Sequence, residues 1–321
     1  MFINTVTYEI TDKCNARCPQ CMRTNSVNCS PQSFIRNKDI SITEFKKLAP
    51  KQFLETLSFI DFNCPMGDPA AHSSIFSILD YITSVNNNVE IWFPTNGSLR
   101  NISYWKRLAS YPQVKVIFAL DGIDQITHEF YRRNTNFKKI INNATAYIEA
   151  GGSATWQFII FKHNQHQVDA AKDYAYNLGF KKFKPIISNR FNGKEKFEYT
   201  YNNTEYTLDS VEQTHTPPKV SSIECRYLKN QHVFIDIKGQ IMACCFHAGS
   251  LFAHQSIPKS KSKFNNYIDV SFDNYDLEQF SILKVGFETA YASYEQYMKD
   301  LEEQWRALNP PLCKVVCGKC D

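Results

Sequence analysis

The chain has 321 residues, of which 43% are hydrophobic, and its formal net charge is +4. This apolar content is enough for one large domain and a smaller one, and no long run of one charge sign marks a dedicated nucleic-acid-binding protein. No uncharged apolar run approaches the roughly 20 residues that span a bilayer, and residues 1–4 lack the basic segment of a signal peptide. We therefore expect a cytoplasmic protein with no membrane or nucleic-acid partner.

Eleven cysteines are many for a cytoplasmic protein, in which disulfides are rare. Eight of them fall into three groups whose spacing favours metal sites over disulfides. The groups are Cys14, Cys18 and Cys21; Cys244 and Cys245; and Cys313, Cys317 and Cys320. Cys29, Cys64 and Cys225 stand alone in the sequence. We predict no ligand role for Cys29 or Cys64, because a free cysteine often serves as a small buried hydrophobe.

The first group forms a C-x3-C-x2-C pattern directly after residues 6–11, an apolar run that predicts a strand. Three thiolates can bind three irons of a four-iron cluster and leave the fourth iron without a protein ligand. Such an iron can take a ligand and take part in chemistry. The alternative is a zinc site, but structural zinc needs four ligands. No fourth ligand is obvious near this loop, although Cys29 or a histidine could serve.

Strand and helix patterns alternate along the first 190 residues. After the first strand, strands are predicted at 57–62, 89–93, 114–120, 154–161 and 183–187. Helices are predicted from Ser41, which has Glu44 in the capping-box position, and at 74–79, 104–108, 137–150 and 167–177. This alternation predicts parallel βαβ units. In α/β barrels the active site is built from the loops that follow the strands. Here those loops are residues 12–21, 63–69, 94–97, 121–122 and 162–164.

The last third of the sequence has a different character. Residues 190–218 are polar and predict a linker or a segment that covers an active site. Residues 233–243 predict a hairpin with Lys238 and Gly239 at its turn, which leads to the second cysteine group. A long helix is predicted over 288–308, before the third cysteine group.

The cysteine loop after a first strand, together with the alternation, resembles the radical S-adenosylmethionine (SAM) superfamily. The resemblance implies an α/β fold with a partial (β/α)6 TIM-like barrel. It also implies that Cys14, Cys18 and Cys21 hold a [4Fe-4S] cluster whose fourth iron is chelated by SAM. Reduction by an external one-electron donor of the flavodoxin or ferredoxin type then cleaves SAM. The resulting 5′-deoxyadenosyl radical abstracts a hydrogen atom from a substrate.

Other positions extend this resemblance to SAM binding. Met66-Gly67-Asp68-Pro69 is similar to the family segment that contacts the SAM amino group, and Asp121 resembles the aspartate near the SAM ribose. Arg132 stands where some relatives have an arginine that pairs with the SAM carboxylate. The implied cofactor-binding residues are Gly67, Asp68, Pro69, Thr95, Asn96, Asp121, Arg132 and Asn164. The alternatives are an ordinary turn for Gly67-Asp68-Pro69 and for Asp121, and a surface ion pair for Arg132.

Three departures from the family pattern weaken individual contacts. Ala119 replaces the usual serine of the fourth strand, which removes one hydrogen bond to the ribose. Gln20 replaces the aromatic residue often found before the third cysteine, and Asp68 replaces a glutamate of longer reach.

The C-terminal cysteines resemble the SPASM and Twitch extensions of this superfamily. Cys225, Gly239 and Cys244 match the C-x9–15-G-x4-C opening of these domains, and Cys317 and Cys320 supply a closing C-x2-C. The remaining cysteines are too few for two additional clusters. The resemblance therefore implies a Twitch-type domain with one auxiliary [4Fe-4S] cluster on Cys225, Cys244, Cys317 and Cys320. Cys245 and Cys313 are the spare residues that could replace one of these ligands, and a zinc knuckle is the alternative for this set.

These features predict three segments. They are a radical SAM partial barrel over 1–190, a linker or covering segment over 191–224, and a small Twitch- or SPASM-like iron–sulfur domain over 225–321. The predicted activity is the dehydrogenation or oxidation of a small molecule or peptide side chain, with the auxiliary cluster accepting an electron.

Three other functions remain open. They are an epimerase, which needs a hydrogen donor such as Cys29, Cys64 or Cys245; a peptide cross-linking maturase; and a zinc-stabilised binding module. Because the first strand begins near Val6, we expect no leader-binding domain before the barrel. This favours a small molecule, or a peptide delivered by a separate protein.

Overall fold

The computed structural model describes residues 3–25, 27–188, 190–191, 194–211, 220–245, 276–308 and 318–320. The strands are β1 (Thr5–Tyr8), β2 (Phe59–Asp61), β3 (Glu90–Thr95), β4 (Val114–Ala119), β5 (Ser153–Ile160), β6 (Lys182–Ile187), β7 (Lys196–Tyr201), β8 (Thr204–Asp209), β9 (Val220–Ile223), β10 (His232–Ile235), β11 (Ile241–Met242) and β12 (Gly318–Cys320). The helices are α1 (Ile42–Leu48), α2 (Lys51–Thr56), α3 (Ile75–Val85), α4 (Ile102–Ala109), α5 (Gln125–Glu129), α6 (Phe137–Glu149), α7 (Val168–Asn177), α8 (Arg226–Lys229), α9 (Ile282–Val285) and α10 (Phe287–Leu308). Short 3-10 turns lie at Pro69–Ala71, Gln165–Gln167 and Leu277–Phe280.

Eight of these strands form one sheet in the order β11-β10-β1-β2-β3-β4-β5-β6. All neighbours are parallel except β10 and β11, which are antiparallel. Within the described strands, β6 and β11 are open edges, so the sheet does not close on itself. The predicted α/β class with parallel βαβ units is confirmed.

The core lies between the sheet and its helices. On α3 the buried residues Ile75, Ile78, Leu79 and Ile82 recur at helical spacing, which gives the helix one apolar face. On the strands, alternate residues such as Ile60 and Ile91 are fully buried in the same cluster. Because successive side chains of a strand point to opposite faces of the sheet, the remaining residues of each strand lie on the face away from these helices.

Helix boundaries follow the local signals in the sequence. Ser41 caps α1, and its backbone N–H donates to the Glu44 carboxylate at 2.8 Å in a complete capping box. Gly151 and Gly179 follow α6 and α7 with φ of +94° and +88°, a conformation that a glycine adopts without a Cβ clash.

Residues 191–224, which the sequence analysis interprets as a linker or covering segment, contain regular secondary structure. Residues 196–209 form the antiparallel β7–β8 hairpin, and β9 begins at Val220. The two turn residues, Asn202 and Asn203, both have positive φ, which suits a two-residue hairpin turn. These two strands were not predicted, because their alternation uses aromatic residues set among Thr, Glu and Lys in a stretch that is polar as a whole.

The predicted hairpin of residues 233–243 is present as β10 and β11, with Gly239 at φ +76° in its turn. However, β10 also pairs with β1 in parallel, so the segment after Cys225 continues the main sheet. The predicted long helix is present as α10, and Tyr294 and Tyr297 on it are buried in the main core. In the described parts of the chain, no helix combines the length and the apolar character that a bilayer crossing requires.

Two buried carboxyl groups lie where β1 and β10 end. Glu9 is 1% exposed and Asp236 is 0% exposed. Burial raises the pKa of Glu9 to about 8, helped by the nearby Asp236, and burial raises the pKa of Asp236 to about 6. One oxygen of each group, Glu9 Oε2 and Asp236 Oδ2, has no hydrogen-bond partner among the described residues.

We predict that Glu9 makes the folded protein less stable as the pH rises. A carboxyl group with a raised pKa binds its proton more tightly in the folded state. Its stabilising effect is therefore complete below the ordinary pKa of 4.5 and is lost as the pH rises through about 8. In the wild type the unfolding free energy falls across this pH window. In Glu9→Gln that fall should be smaller by on the order of 1–3 kcal/mol. Urea unfolding at a series of pH values measures it.

Glu55→Gln on α2 is the matched control for this prediction, because Glu55 is exposed. It should leave the pH profile unchanged. A Glu9→Gln profile identical to that of the wild type would show that Glu9 carries no raised pKa.

Candidate functional site

Cys14, Cys18 and Cys21 lie on the loop that follows β1. Cys18 is buried, and the other two are half-buried. Asp12 anchors the start of the loop, because its carboxylate accepts hydrogen bonds from the backbone N–H of Arg36 at 2.7 Å and of Lys38 at 2.5 Å. The loop therefore presents three thiols from a fixed base.

The three thiols lie close enough to influence one another. Burial raises the pKa of Cys14 well above its ordinary value, and Asp68, Cys18 and Cys21 raise it further. Burial also raises the pKa of Cys18 to about 11, against the effect of Arg132. Thiolates at these positions therefore need a cationic partner to offset their desolvation.

The donor set fits a multi-iron cluster. Three thiols on one loop are the ligand type that iron–sulfur clusters use. The three cysteines of the loop are therefore suited to hold such a cluster.

The loop after β2 packs directly against the cysteine loop. The Asp68 N–H donates to the Lys13 carbonyl at 2.8 Å, and the Met66 N–H donates to Glu9 Oε1 at 2.8 Å. A Cβ on Gly67 would lie 1.9 Å from the Thr11 carbonyl oxygen. Only glycine allows this approach, so Gly67 is needed for contact between the two loops.

Asp68 connects the end of β2 to the end of β3. It is 4% exposed. Its Oδ1 accepts hydrogen bonds from Thr95 Oγ1 and the Ala70 N–H, both at 2.9 Å. Its Oδ2 accepts from the Asn96 N–H at 2.8 Å and from Asn96 Nδ2 at 2.6 Å. Thr95 and Asn96 therefore meet Asp68 as the sequence predicts, but donors of the chain itself occupy both carboxylate oxygens.

Asn96 carries this network to the cysteine loop. Its Nδ2 also donates to Cys14 Sγ at 3.6 Å and to Asn15 Oδ1 at 3.0 Å. Pro69, the neighbour of Asp68, begins the 3-10 turn Pro69–Ala71 and is buried. The ends of β1, β2 and β3 thus converge on one thiol.

A second buried carboxylate, Asp121, lies at the end of β4 and is 0% exposed. Its Oδ2 accepts from Arg132 Nε at 2.5 Å, and its Oδ1 accepts from the Ile159 N–H at 2.6 Å. Burial raises the pKa of Asp121, and Arg132 opposes that effect. Burial lowers the pKa of Arg132, but the Asp121 carboxylate raises it, and the net shift is upward. We treat the two groups as a charged pair.

Arg132 also reaches the cysteine loop, since its Nη1 donates to Cys18 Sγ at 3.9 Å. The Asp121–Arg132 pair is thus arranged in the same way as the Asp68–Asn96 pair. In each, a buried carboxylate holds a donor side chain against one cysteine.

Asn164 and Gln20 hold neighbouring loops in place through hydrogen bonds. Asn164 is fully buried, and its Nδ2 donates to the carbonyls of Asp121 and Ile159 at 3.0 and 2.9 Å. Gln20 Oε1 accepts from Ser188 Oγ at 3.0 Å, and Arg190 Nη1 donates to the Gln20 carbonyl at 3.1 Å. Arg190 and Ser188, the second of which the sequence interpretation missed, therefore join the cysteine loop to the end of β6.

The second cysteine set is described in part. Cys225 directly precedes α8, and Cys244 follows β11. Burial raises the pKa of Tyr294 on α10, and the charges of Cys225 and Cys244 raise it further. Tyr227 Oη donates to Cys245 Sγ at 3.5 Å.

Of the last cysteine group, Cys320 lies within the described residues. Cys313 and Cys317 lie outside the described residues. Cys320 belongs to β12, whose backbone pairs with β9 just before Cys225. The pairing thus brings the segment of Cys320 beside the segment that leads to Cys225.

Comparison with known proteins identifies the family. The model of the radical SAM superfamily matches residues 8–175, which is just over half of the chain. The protein therefore belongs to the radical SAM superfamily, a superfamily of enzymes. Family membership implies a [4Fe-4S] cluster and SAM as cofactors.

One curated relative is the antilisterial bacteriocin subtilosin biosynthesis protein AlbA of Bacillus subtilis (strain 168). It is 24% identical over 179 residues, which are 55% of this chain and 38% of AlbA. The chain thus matches well under half the length of that relative.

Solved structures share the fold. Streptococcus suis SuiB bound to SAM matches with a TM-score of 0.55 and 14% identity, over 84% of this chain and 66% of SuiB. The protein anSMEcpe with bound SAM and the Cp18Cys peptide matches with a TM-score of 0.52 and 14% identity, over 75% of this chain and 73% of that chain. At this identity the likeness shows the fold alone, and it supports the predicted partial barrel.

The buried Asp121–Arg132 pair gives a test of the site's framework. Arg132→Met should destabilise the protein by about 3–5 kcal/mol, because it leaves a buried carboxylate without its partner. Asp121→Asn with Arg132→Met should cost clearly less than the sum of the two single variants. Equilibrium urea unfolding of the single and double variants measures the coupling. Additive effects would mean that the two side chains do not form a charged pair.

Proposed function

We propose that the protein is a radical SAM enzyme that abstracts a hydrogen atom from a peptide substrate. The observation that carries this proposal is the convergence of two buried networks on the thiols of the C-x3-C-x2-C loop. Asn96 donates to Cys14, and Arg132 donates to Cys18. The chemistry that a bound [4Fe-4S] cluster and SAM supply is reductive cleavage of SAM to methionine and a 5′-deoxyadenosyl radical.

The cysteines and their donors have distinct roles in this proposal. Cys14, Cys18 and Cys21 hold the cluster. Hydrogen bonds to thiolate sulfurs stabilise their charge and influence the cluster potential. Asn96 and Arg132 supply such bonds, and Asp68 and Asp121 hold these donors in place.

We assign SAM contacts to the same edge of the sheet. The proposed contact residues are Gly67, Asp68, Pro69, Thr95, Asn96, Asp121 and Arg132, and Asn164 is proposed to support Asp121. The SAM amino group can donate to Asp68 only if it displaces one of the donors already bound to the carboxylate or shares an oxygen with that donor. Asn164 acts at one remove, because its amide holds the Asp121 carbonyl.

The named relatives favour a peptide over a small molecule as substrate. SuiB matches also as its complex with the precursor peptide SuiA, with a TM-score of 0.56 and 12% identity. The anSMEcpe structure contains a peptide, and AlbA takes part in the biosynthesis of a bacteriocin. We therefore propose a peptide substrate and an external one-electron reductant of the flavodoxin or ferredoxin type.

For the C-terminal region we propose one auxiliary [4Fe-4S] cluster held by Cys225, Cys244, Cys317 and Cys320. The effect of both Cys225 and Cys244 on the pKa of Tyr294, and the pairing of β9 with β12, support this set. In this proposal the C-terminal segment 225–321 accepts an electron from the substrate, so that a peptide side chain is oxidised. Epimerisation and cross-linking are the other outcomes that the same machinery permits.

Formation of 5′-deoxyadenosine tests the proposed function. The anaerobically reconstituted protein, given dithionite and SAM, should produce it. Cys18→Ala should abolish production, whereas Cys29→Ala should leave it intact, because Cys29 is a buried cysteine outside the motif. A colourless protein holding about two zinc ions, with no deoxyadenosine, would support the zinc-stabilised binding module instead.

Adjacent cysteines allow a matched test of the auxiliary site. Cys244→Ala should lower the iron content from about eight to about four atoms per chain while SAM cleavage continues. Cys245→Ala should keep the full iron content. Iron and sulfide analysis measures both. Loss of iron in Cys245→Ala but not in Cys244→Ala would overturn the ligand assignment.

A further inference from the structure

The β7–β8 hairpin is joined to the chain before α6 by a buried tyrosine. Tyr199 on β7 is 3% exposed. Its hydroxyl donates to the Phe130 carbonyl at 2.6 Å and accepts hydrogen bonds from Arg133 Nε at 3.1 Å and Nη2 at 2.7 Å. One hydroxyl thus fixes both a backbone carbonyl and a guanidinium.

Arg133 is enclosed by aromatic rings. It is 6% exposed, and its guanidinium carbon lies 3.9 Å from the ring centroid of Tyr206 and 5.1 to 5.6 Å from those of Tyr201, Tyr199 and Phe130. Among the described residues it forms no salt bridge. Its charge is therefore balanced by ring faces and by the Tyr199 oxygen, three of the four rings being supplied by the hairpin.

Arg133, which the hairpin surrounds, and its neighbours Arg132 and Asn134 also contact the cysteine loop. The Arg133 carbonyl accepts from the Arg17 N–H at 2.9 Å. Asn134 and Asn15 exchange two hydrogen bonds, from each side-chain amide to the other's carbonyl, at 2.7 and 3.1 Å. Arg132 reaches Cys18 Sγ. Residues 132–134 thus contact the loop at three places between Asn15 and Cys18.

We propose that the β7–β8 hairpin braces the cluster-binding loop, and that Tyr199 is the positioning residue of this brace. Tyr199 sets the orientation of Arg133 and the Phe130 carbonyl, and the neighbouring residues 132–134 then hold Cys18 and Asn15. This inference rests on the proposed assignment of Cys14, Cys18 and Cys21 as cluster ligands. It gives the hairpin a role in retaining and tuning the cluster.

The test compares Tyr199→Phe with Tyr206→Phe in the anaerobically reconstituted protein. Both variants keep their rings, which stack at 5.3 Å. For the Tyr206 hydroxyl, the described residues include no hydrogen-bond partner, so only the first variant removes bonds. The readouts are the rate of iron loss to a chelator and the electron paramagnetic resonance (EPR) signal of the reduced cluster that responds to SAM.

In Tyr199→Phe we expect iron loss at least threefold faster than in the wild type, and a shifted SAM-dependent signal. Tyr206→Phe should match the wild type in both. If Tyr199→Phe lost iron at the wild-type rate and kept the wild-type EPR signal, the brace would be refuted. Equal changes in both variants would also refute it, because they would indicate lost packing. If the wild type itself assembles no cluster, the proposed function fails first, so the two failures are distinct.

Discussion

The two buried carboxylates at the ends of β2 and β4 are the constraint on which the rest of the site depends. A buried carboxylate is stable only if donors satisfy its oxygens. Asp68 binds Asn96, and Asp121 binds Arg132. Each donor then extends to one thiol of the cysteine loop. The need to satisfy two desolvated charges thus aligns three strand ends and the loop that carries the proposed cluster ligands.

The local patterns of the sequence were sufficient for the parallel strands β1 to β6 and for most of the helices between them. Apolar runs, the capping box of Ser41 and the glycines after α6 and α7 correspond to the observed elements. The β7–β8 hairpin was missed, because its strands are polar and its packing depends on Arg133, more than 60 residues earlier. The pairing of β10 with β1 was missed for the same reason, since contacts between distant segments leave no local pattern.

The site shows the same division between local and distant information. The cysteine spacing identified the loop, and the motifs placed Asp68, Asn96 and Arg132 near it. They did not show that the chain itself already binds the oxygens of Asp68, or that Asn164 is buried against backbone carbonyls. These are consequences of packing, which decides whether a polar group faces a ligand or the protein. Gly67 is another example. A glycine is required there because the Thr11 carbonyl, 56 positions away in sequence, leaves no room for a Cβ.

The central claim is that the C-x3-C-x2-C loop holds a cluster with one iron open to SAM. The most direct measurement is the EPR spectrum of the reduced, reconstituted protein before and after addition of SAM. We expect SAM to shift one cluster signal, and we expect that signal to be absent from Cys18→Ala. A spectrum that does not respond to SAM in the fully loaded wild-type protein would contradict the account.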